Sequence, residues 1–271
     1  MKAVAIMNNK GGTAKTVTAV NLADILVGVY HKTVLLVDCD GQANATRFFL
    51  PNFHADMDNG TAAVLCGQGE SVWSDNVVPV VPGLDILTGG PDLYGLDLRA
   101  MTDGVSNTHA LRSFVDAARS DGETDFVLFD CPPGFTSASV AALMAADEVI
   151  IPMALDGFSF DGLHALRQQV ENLRRANYRI KIAGVLITKW CRTQAVQESE
   201  KMLRSGDLPV YRTHIRQTPK VTESTLMQTP LRTYSPTSGP TKDYLAWVQE
   251  YLEDSVHAAE APHAAGEEQA K

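Results

Sequence analysis

The sequence predicts an α/β fold: a single domain on a mostly parallel, twisted sheet with helices on both faces. Three observations predict it. Apolar strand-like runs alternate with helical periodicities along nearly the whole chain, the order that builds a parallel sheet. A glycine-rich run, Asn9-Lys10-Gly11-Gly12-Thr13-Ala14-Lys15-Thr16-Val17, stands between the first strand and the first helix. At 271 residues and 45% apolar content, with mean hydropathy −0.08, the chain is long enough for one sizeable core.

The elements follow in order. Ala3-Val4-Ala5-Ile6-Met7 makes the first strand, near 2–7, and Ala19, Leu22, Ala23 and Leu26 give the helical stripe of 15–29. Val34-Leu35-Leu36-Val37 marks a strand near 33–37, and Phe126-Val127-Leu128-Phe129 one near 125–130. Further strands are expected near 84–87, 148–152, 181–187 and 209–212. Helices are expected near 61–66, 107–119, 137–145, 159–176, 194–205 and 241–256. Residues 51–60 read as a loop. From Ala258 to Lys271 the chain is rich in Ala and Glu, with a Pro and a Gly, so 1–257 is taken as the domain and 258–271 as a disordered tail. No internal repeat is visible.

The glycine-rich run has the layout of a nucleotide-binding phosphate loop, which makes the expected architecture a P-loop NTPase fold. Polyphosphates need backbone N–H donors at close range. Gly11 and Gly12 let the main chain wrap around them, and the helix start adds its positive dipole end. Lys15 supplies a point charge for β/γ-phosphate oxygens, and Thr16 a hydroxyl for Mg²⁺. Two carboxylate segments follow at strand ends. One is Asp38-Cys39-Asp40-Gly41-Gln42-Ala43-Asn44-Ala45-Thr46, and the other is Asp130-Cys131-Pro132-Pro133-Gly134. Carboxylates at the C-terminal ends of strands beside a phosphate loop can hold Mg²⁺ waters or orient an attacking water. Pro132 and Pro133 cannot extend a strand and force a turn.

The loop departs from the common G-x-x-x-x-G-K-[ST] pattern, with Asn9 and Ala14 at the two glycine positions and a second lysine, Lys10, at the entrance. In this it resembles the deviant Walker A loop of the ParA/MinD superfamily, written KGGxGK[ST] there and KGGTAKT here. Residues 38–46 are similar to that family's DxDPQxNxT segment, with Gly41 in place of Pro. Asp130 with its proline pair resembles the family's Walker B. Leu186-Ile187-Thr188-Lys189 with Arg192-Thr193, and the stretches around Ile215-Arg216, Glu223-Ser224 and 234–239, resemble the C-terminal pattern of the ParA branch. The phosphate-loop strand starts at residue 2, matching the short form without an N-terminal helix-turn-helix. Ala14 must tolerate its backbone conformation with a Cβ, and Val17 replaces a family Thr near the α-phosphate.

The resemblance implies a partition ATPase using ATP and Mg²⁺. It implies nucleotide contacts from Lys10, Gly11, Gly12, Thr13, Ala14, Lys15, Thr16 and Val17, and from Thr188, Lys189 and Ile215 on the adenine side. Thr16, Asp38 and Asp130 lie near the metal, while Lys10, Lys15 and Asp40 serve catalysis. An ATP homodimer is implied, with Lys10 reaching the partner's phosphates. So are nonspecific DNA binding and slow hydrolysis stimulated by a ParB-like centromere-binding protein. Its task would be segregation of a plasmid, mobile element or chromosome region. A ParA-like ATPase that positions a protein cargo shares every motif. A metal-cluster carrier of the superfamily is disfavoured by the lack of a cysteine pair. A non-enzymatic regulator is disfavoured by the retained Lys15, Thr16, Asp40 and Asp130.

Charge supports nucleic-acid contact. The chain carries −9, yet residues 167–242 hold 14 Lys/Arg against five Asp/Glu, leaving the remainder at −18. Such a basic stretch suits DNA phosphates, with Arg192, Arg216 and Lys220 as candidates. Aromatic residues are sparse among the basic ones, so stacking on single strands is not suggested. In the last helix, Tyr244, Leu245, Trp247, Val248, Tyr251, Leu252 and Val256 form one apolar face, and Asp243, Glu250, Glu253 and Asp254 the other. A helix targeting anionic membrane needs Lys/Arg there, so a MinD-like membrane-associated role is disfavoured and docking on the core expected. No apolar run approaches the ~18–20 residues of a span, and no signal peptide is visible. Cys39, Cys66, Cys131 and Cys191 lack CxxC spacing, so zinc is not expected. The expected location is cytoplasmic, nucleoid-associated when ATP is bound.

Overall fold

The computed structural model describes residues 1–53, 60–67, 76–104, 107–157 and 159–260. Among the described residues, seven strands form one sheet, in the order β3-β4-β2-β5-β1-β6-β7. They are β1 (Lys2–Ile6), β2 (Val34–Asp38), β3 (Val78–Val81), β4 (Leu84–Leu87), β5 (Phe126–Asp130), β6 (Glu148–Ala154) and β7 (Lys181–Thr188). All neighbours pair in parallel except β3, which runs antiparallel on β4. The helices are α1 (Lys15–Gly28), α2 (Asn44–Phe49), α3 (Thr61–Leu65), α4 (Asp92–Asp103), α5 (Ala110–Asp121), α6 (Ser137–Ala145), α7 (Ser159–Leu173), α8 (Gln194–Arg204), α9 (Pro219–Leu226), α10 (Leu231–Tyr234) and α11 (Gly239–Glu260).

The period of two along each strand divides the core. In β1, Ala3 and Ala5 join a cluster under Leu111, Phe114, Leu143 and Leu166. Val4 and Ile6 face the opposite cluster, with Leu22, Leu26, Tyr244 and Trp247. Helices therefore cover both faces, and β1, β2 and β5 read as continuous apolar runs because both sides are buried.

Several expectations change. Residues 209–212 do not form a strand; among the described residues they make one parallel bridge, Val185 to Val210. The backbone explains it. Tyr211 N–H donates to Val185 O at 3.1 Å, but the next two donors, Arg212 and Thr213 N–H, go to the Glu250 carboxylate at 2.6 and 3.0 Å. A side chain of α11 thus takes the donors a ladder would need. The strand β3 and the helices α2, α4, α9 and α10 were not expected. The region 107–119 becomes a helix over 110–121. Helix α11 continues to Glu260, across the expected boundary at 257; residues 261–271 of the expected tail lie outside the described residues, as do 54–59 of the expected loop.

Helix α11 packs on the core through Tyr244, Trp247, Val248 and Tyr251. Its expected acidic face is not all solvated: Glu250 is buried, and Asp243 forks onto Arg216 through Nη2–Oδ1 at 2.7 Å and Nε–Oδ2 at 2.8 Å. No described helix is long and apolar enough to cross a membrane.

Candidate functional site

The C-terminal ends of β1, β2 and β5 place the loop 9–17, Asp38 and Asp130 side by side. Asp38 and Asp130 are register partners across β2 and β5, and Ile6, at the end of β1, pairs with Asp130 on its other side. The three motifs, separated by up to 120 positions in sequence, meet because parallel pairing aligns strand ends.

The loop has two backbone positions of positive φ. Gly12 sits at φ 74 and Ala14 at φ 68, ψ 29. Ala14 is therefore a left-handed residue carrying a Cβ, a conformation that costs of order 1 kcal/mol. Its carbonyl accepts the first α1 bond, from Thr18 N–H at 2.9 Å. Lys15 is buried, and its Nζ donates to Lys10 O at 2.9 Å. Burial pulls its pKa down, opposed by the charge of Asp130. Thr188 Oγ1 donates to Thr13 O at 3.0 Å, tying the end of β7 to the loop.

The two aspartates differ in how they are held. Asp38 is fully satisfied: Oδ2 accepts from Thr46 N–H at 2.9 Å and Thr46 Oγ1 at 2.8 Å, and Oδ1 accepts from Asp40 N–H at 3.1 Å. Burial nonetheless pushes its pKa up to about 6, against the pull of those bonds. Asp130 is buried, with neither carboxylate oxygen in a well-formed hydrogen bond although the Thr16 hydroxyl stands near. Its pKa rises well above the usual carboxylate range, through burial first and the neighbouring Asp38 second; the Thr16 hydroxyl and Lys15 act the other way. An unsatisfied buried carboxylate beside a buried ammonium and a threonine hydroxyl suits a hydrated divalent cation with an anionic phosphate chain. Among the described residues no group of three or more His, Cys, Asp or Glu could hold a metal ion.

Asp40 lies at the rim, its Oδ1 accepting from Gln42 N–H at 2.9 Å. Gly41 is covered by the Tyr94 ring, to which a Cβ there would approach within 2.6 Å, and Gln42 Nε2 donates to the Tyr94 hydroxyl. Lys10, at the entrance, forms an ion pair with Asp156 in the same chain. A cavity of about 740 Å³ opens beside the loop, lined by Gly12, Ala14, Val17, Thr188, Lys189 and Ile215 among others. All six were assigned to the nucleotide from sequence. Lys10, Gly11, Thr13, Lys15 and Thr16 belong to the loop beside it.

The DNA candidates do not gather into one free surface. Arg192 is exposed. Arg216 is held by Asp243 and also lines the cavity, and Lys220 Nζ pairs with Glu223 at 2.7 Å. Cys39 and Cys131 are buried at the ends of β2 and β5, while Cys66 and Cys191 are exposed.

Sequence reasoning missed four residues that shape the site: Thr46 as the anchor of Asp38, Tyr94 over Gly41, Asp156 against Lys10, and Gly89. A Cβ on Gly89 would lie 2.7 Å from Asp38 Cγ and 2.7 Å from Asp40 O, so only glycine fits. The Gly89-Gly90 pair at the end of β4 was the available signal.

Comparison with known proteins gives the chain a family. A family model described as an AAA domain matches residues 1–182. The chain is similar to the chromosome partitioning protein ParA of Caulobacter vibrioides, 31% identical over 256 residues, covering 93% of this chain and 94% of that protein. It is also similar to the chromosome-partitioning ATPase Soj of Thermus thermophilus, 32% identical over 256 residues, covering 93% and 96%. In structure it resembles the cobyrinic acid a,c-diamide synthase of Mycobacterium smegmatis solved with an ATP analog and magnesium, with TM-score 0.78 and 24% identity, covering 95% and 97% of the two chains.

Proposed function

This chain belongs to the ParA-type ATPases of the ParA/MinD superfamily, and from that premise we propose that it is an ATP-driven switch that partitions DNA. The observation that carries the nucleotide reading is the buried Lys15 ammonium beside the Asp130 carboxylate, beneath a loop whose Gly11 and Gly12 are exposed. Gly11, Gly12, Thr13 and Ala14 would wrap the phosphates, and Lys15 would neutralise β/γ oxygens. Thr16, Asp38 and Asp130 would hold Mg²⁺, whose charge stabilises the phosphoryl oxygens when bound. The cavity bounded by Thr188, Lys189 and Ile215 would receive the base. Asp40, at the rim, would orient the attacking water. The ATPase Soj of T. thermophilus and the ATP analog and magnesium bound in the M. smegmatis structure support the same reading.

In the single chain Lys10 is paired with Asp156. In the proposed homodimer it would exchange that partner for the phosphates of the other subunit, so dimerisation and nucleotide binding would be coupled. Hydrolysis would be slow alone and stimulated by a ParB-like centromere-binding partner. DNA would be held without sequence preference through phosphates. Exposed Arg192 is the stronger contact, and Arg216 and Lys220 would first have to leave Asp243 and Glu223. The protein would sit in the cytoplasm, on the nucleoid when ATP is bound. A protein cargo in place of DNA uses the same switch and differs only in the partner.

The test is binding to a nonspecific duplex with ATP–Mg²⁺, with ADP and without nucleotide, at low and moderate salt. Binding only with ATP, weakened by salt, is expected. ATP affinity without DNA binding in any state would turn the reading toward a protein cargo. Lys15→Ala should abolish nucleotide binding, and unchanged ATP affinity in it would remove the site. Asp40→Ala should trap the ATP dimer, and normal turnover would remove Asp40 from its role.

A further inference from the structure

The positive charge of residues 167–242 is split between two ends of the sheet. Lys189, Arg192, Arg216 and Lys220 follow the C-terminal end of β7, on the side of the phosphate loop. Arg174, Arg175 and Arg179 lie on the connection between α7 and β7, at the N-terminal ends of the parallel strands. The two groups are separated by the full length of β7, eight residues, or about 26 Å.

This second loop is rigidly built. Asn177 is buried and its Nδ2 donates to Leu143 O at 2.9 Å and Ala146 O at 2.7 Å, while its Oδ1 accepts from Arg179 N–H at 3.3 Å. Arg112 Nη1 donates to Ala176 O at 3.3 Å, and Arg174 Nε to Ile180 O at 3.2 Å. From this frame Arg174, Arg175 and Arg179 are all exposed, and among the described residues none forms an ion pair. The ion pairs of nearby carboxylates are made with other cations: Asp116 with Arg112 and Arg119, Asp147 with Arg119, Glu148 with Lys2 and Lys181, Glu171 with Arg167; Asp147 and Asp116 act on Arg179 only through their charge, beyond ion-pair distance. Between the arginines stands Tyr178, 76% exposed, with the Arg179 guanidinium 5.7 Å from its ring centroid and Arg179 Nε donating to its hydroxyl at 3.4 Å.

We propose that residues 174–179 form a nucleotide-independent contact for single-stranded nucleic acid. Guanidiniums without a carboxylate partner attract successive phosphates, and an exposed ring flanked by an arginine offers a stacking face for a base. A duplex keeps its bases stacked on one another and would leave the ring unused. An acidic peptide would use the arginines but gain little from the ring. The sparse aromatic residues of the basic stretch do not by themselves suggest stacking; the exposure of Tyr178 is a tertiary fact. Lying at the opposite end of the sheet from the phosphate loop, the contact does not depend on ATP or on a dimer.

The experiment uses the full chain carrying Lys15→Ala, without nucleotide and in chelator, so that any ATP-dependent footprint is silent. Anisotropy is measured with a labelled oligothymidine of about 16 nucleotides and a duplex of equal length, at about 50 and 200 mM salt. The oligothymidine should bind more tightly than the duplex and weaken with salt. Adding Tyr178→Ala should cost the single strand roughly tenfold and leave the duplex unchanged. Combining Arg174→Gln, Arg175→Gln and Arg179→Gln should remove the binding, while the same triple substitution in the otherwise native chain keeps its ATP turnover and lowers its melting temperature only by what the Arg174 Nε–Ile180 O bond contributes. Three results would overturn the proposal: no single-strand binding, binding that survives the triple substitution, or displacement by oligoglutamate together with indifference to Tyr178→Ala. The last would make the loop a contact for an acidic protein.

Discussion

Asp38→Asn should flatten the pH dependence of stability in the nucleotide-free protein. Asp38 is buried, and its pKa is pushed from 3.8 to about 6 by loss of solvent, despite three hydrogen bonds. The folded protein therefore keeps a proton between these two pH values where the unfolded chain has released it. For a carboxyl raised in this way, its contribution to stability is complete below about pH 4 and is lost as pH rises through about 6. Each pKa unit is worth ~1.4 kcal/mol, so the native chain should lose about 3 kcal/mol from this group across that window. The asparagine has no proton to lose. It also removes the charge that helps raise Asp130, which acts in the same direction. The absolute stability of the variant also reflects a backbone donor, Asp40 N–H when the amide oxygen turns toward Thr46, left facing the amide nitrogen, so the slope is the diagnostic. The assay is urea unfolding of both proteins in chelator at several pH values from 4 to 7.5, recording the difference between them. That difference should grow in the variant's favour by about 3 kcal/mol. A constant difference across the range would refute the assignment of a buried, proton-holding Asp38.

Ala14→Gly should stabilise the protein by about 0.5–1 kcal/mol, because the left-handed backbone at φ 68 no longer opposes a Cβ; a loss in thermal unfolding would show that the loop is not strained there. Gly89→Ala should cost more than about 2 kcal/mol and displace Asp38, since its Cβ would lie 2.7 Å from Asp38 Cγ; normal stability with normal ATP binding would contradict that close approach. Glu250→Gln should cost about 2 kcal/mol, as a buried carboxylate accepting from Arg212 and Thr213 N–H is replaced by a neutral amide that can accept at only one atom. Faster amide exchange at 212–213 in that variant would locate the loss, and unchanged exchange would place it elsewhere.

What the sequence determined by itself was local and periodic. Strand alternation in 2–7 and 34–37, the stripe of 15–29, and the glycine-rich run between them set the fold class and the phosphate loop, because these depend on neighbours a few positions apart. Residues 38, 40 and 130 were legible because aspartates at strand ends repeat the same local grammar. The tertiary structure decided the remainder. Parallel registry alone brings Asp38 beside Asp130, and only burial makes one satisfied carboxylate and one unsatisfied. Glu250, a long way along the chain, turned an apparent strand at 209–212 into a single bridge by taking two backbone donors. Asp243 and Glu223 engaged two of the three arginines and lysines chosen for DNA, while Asn177 fixed a loop that leaves Tyr178 and three arginines exposed. Charge and apolarity are written in composition, but partners and exposure are set by contacts between distant segments, whose energies no local pattern records.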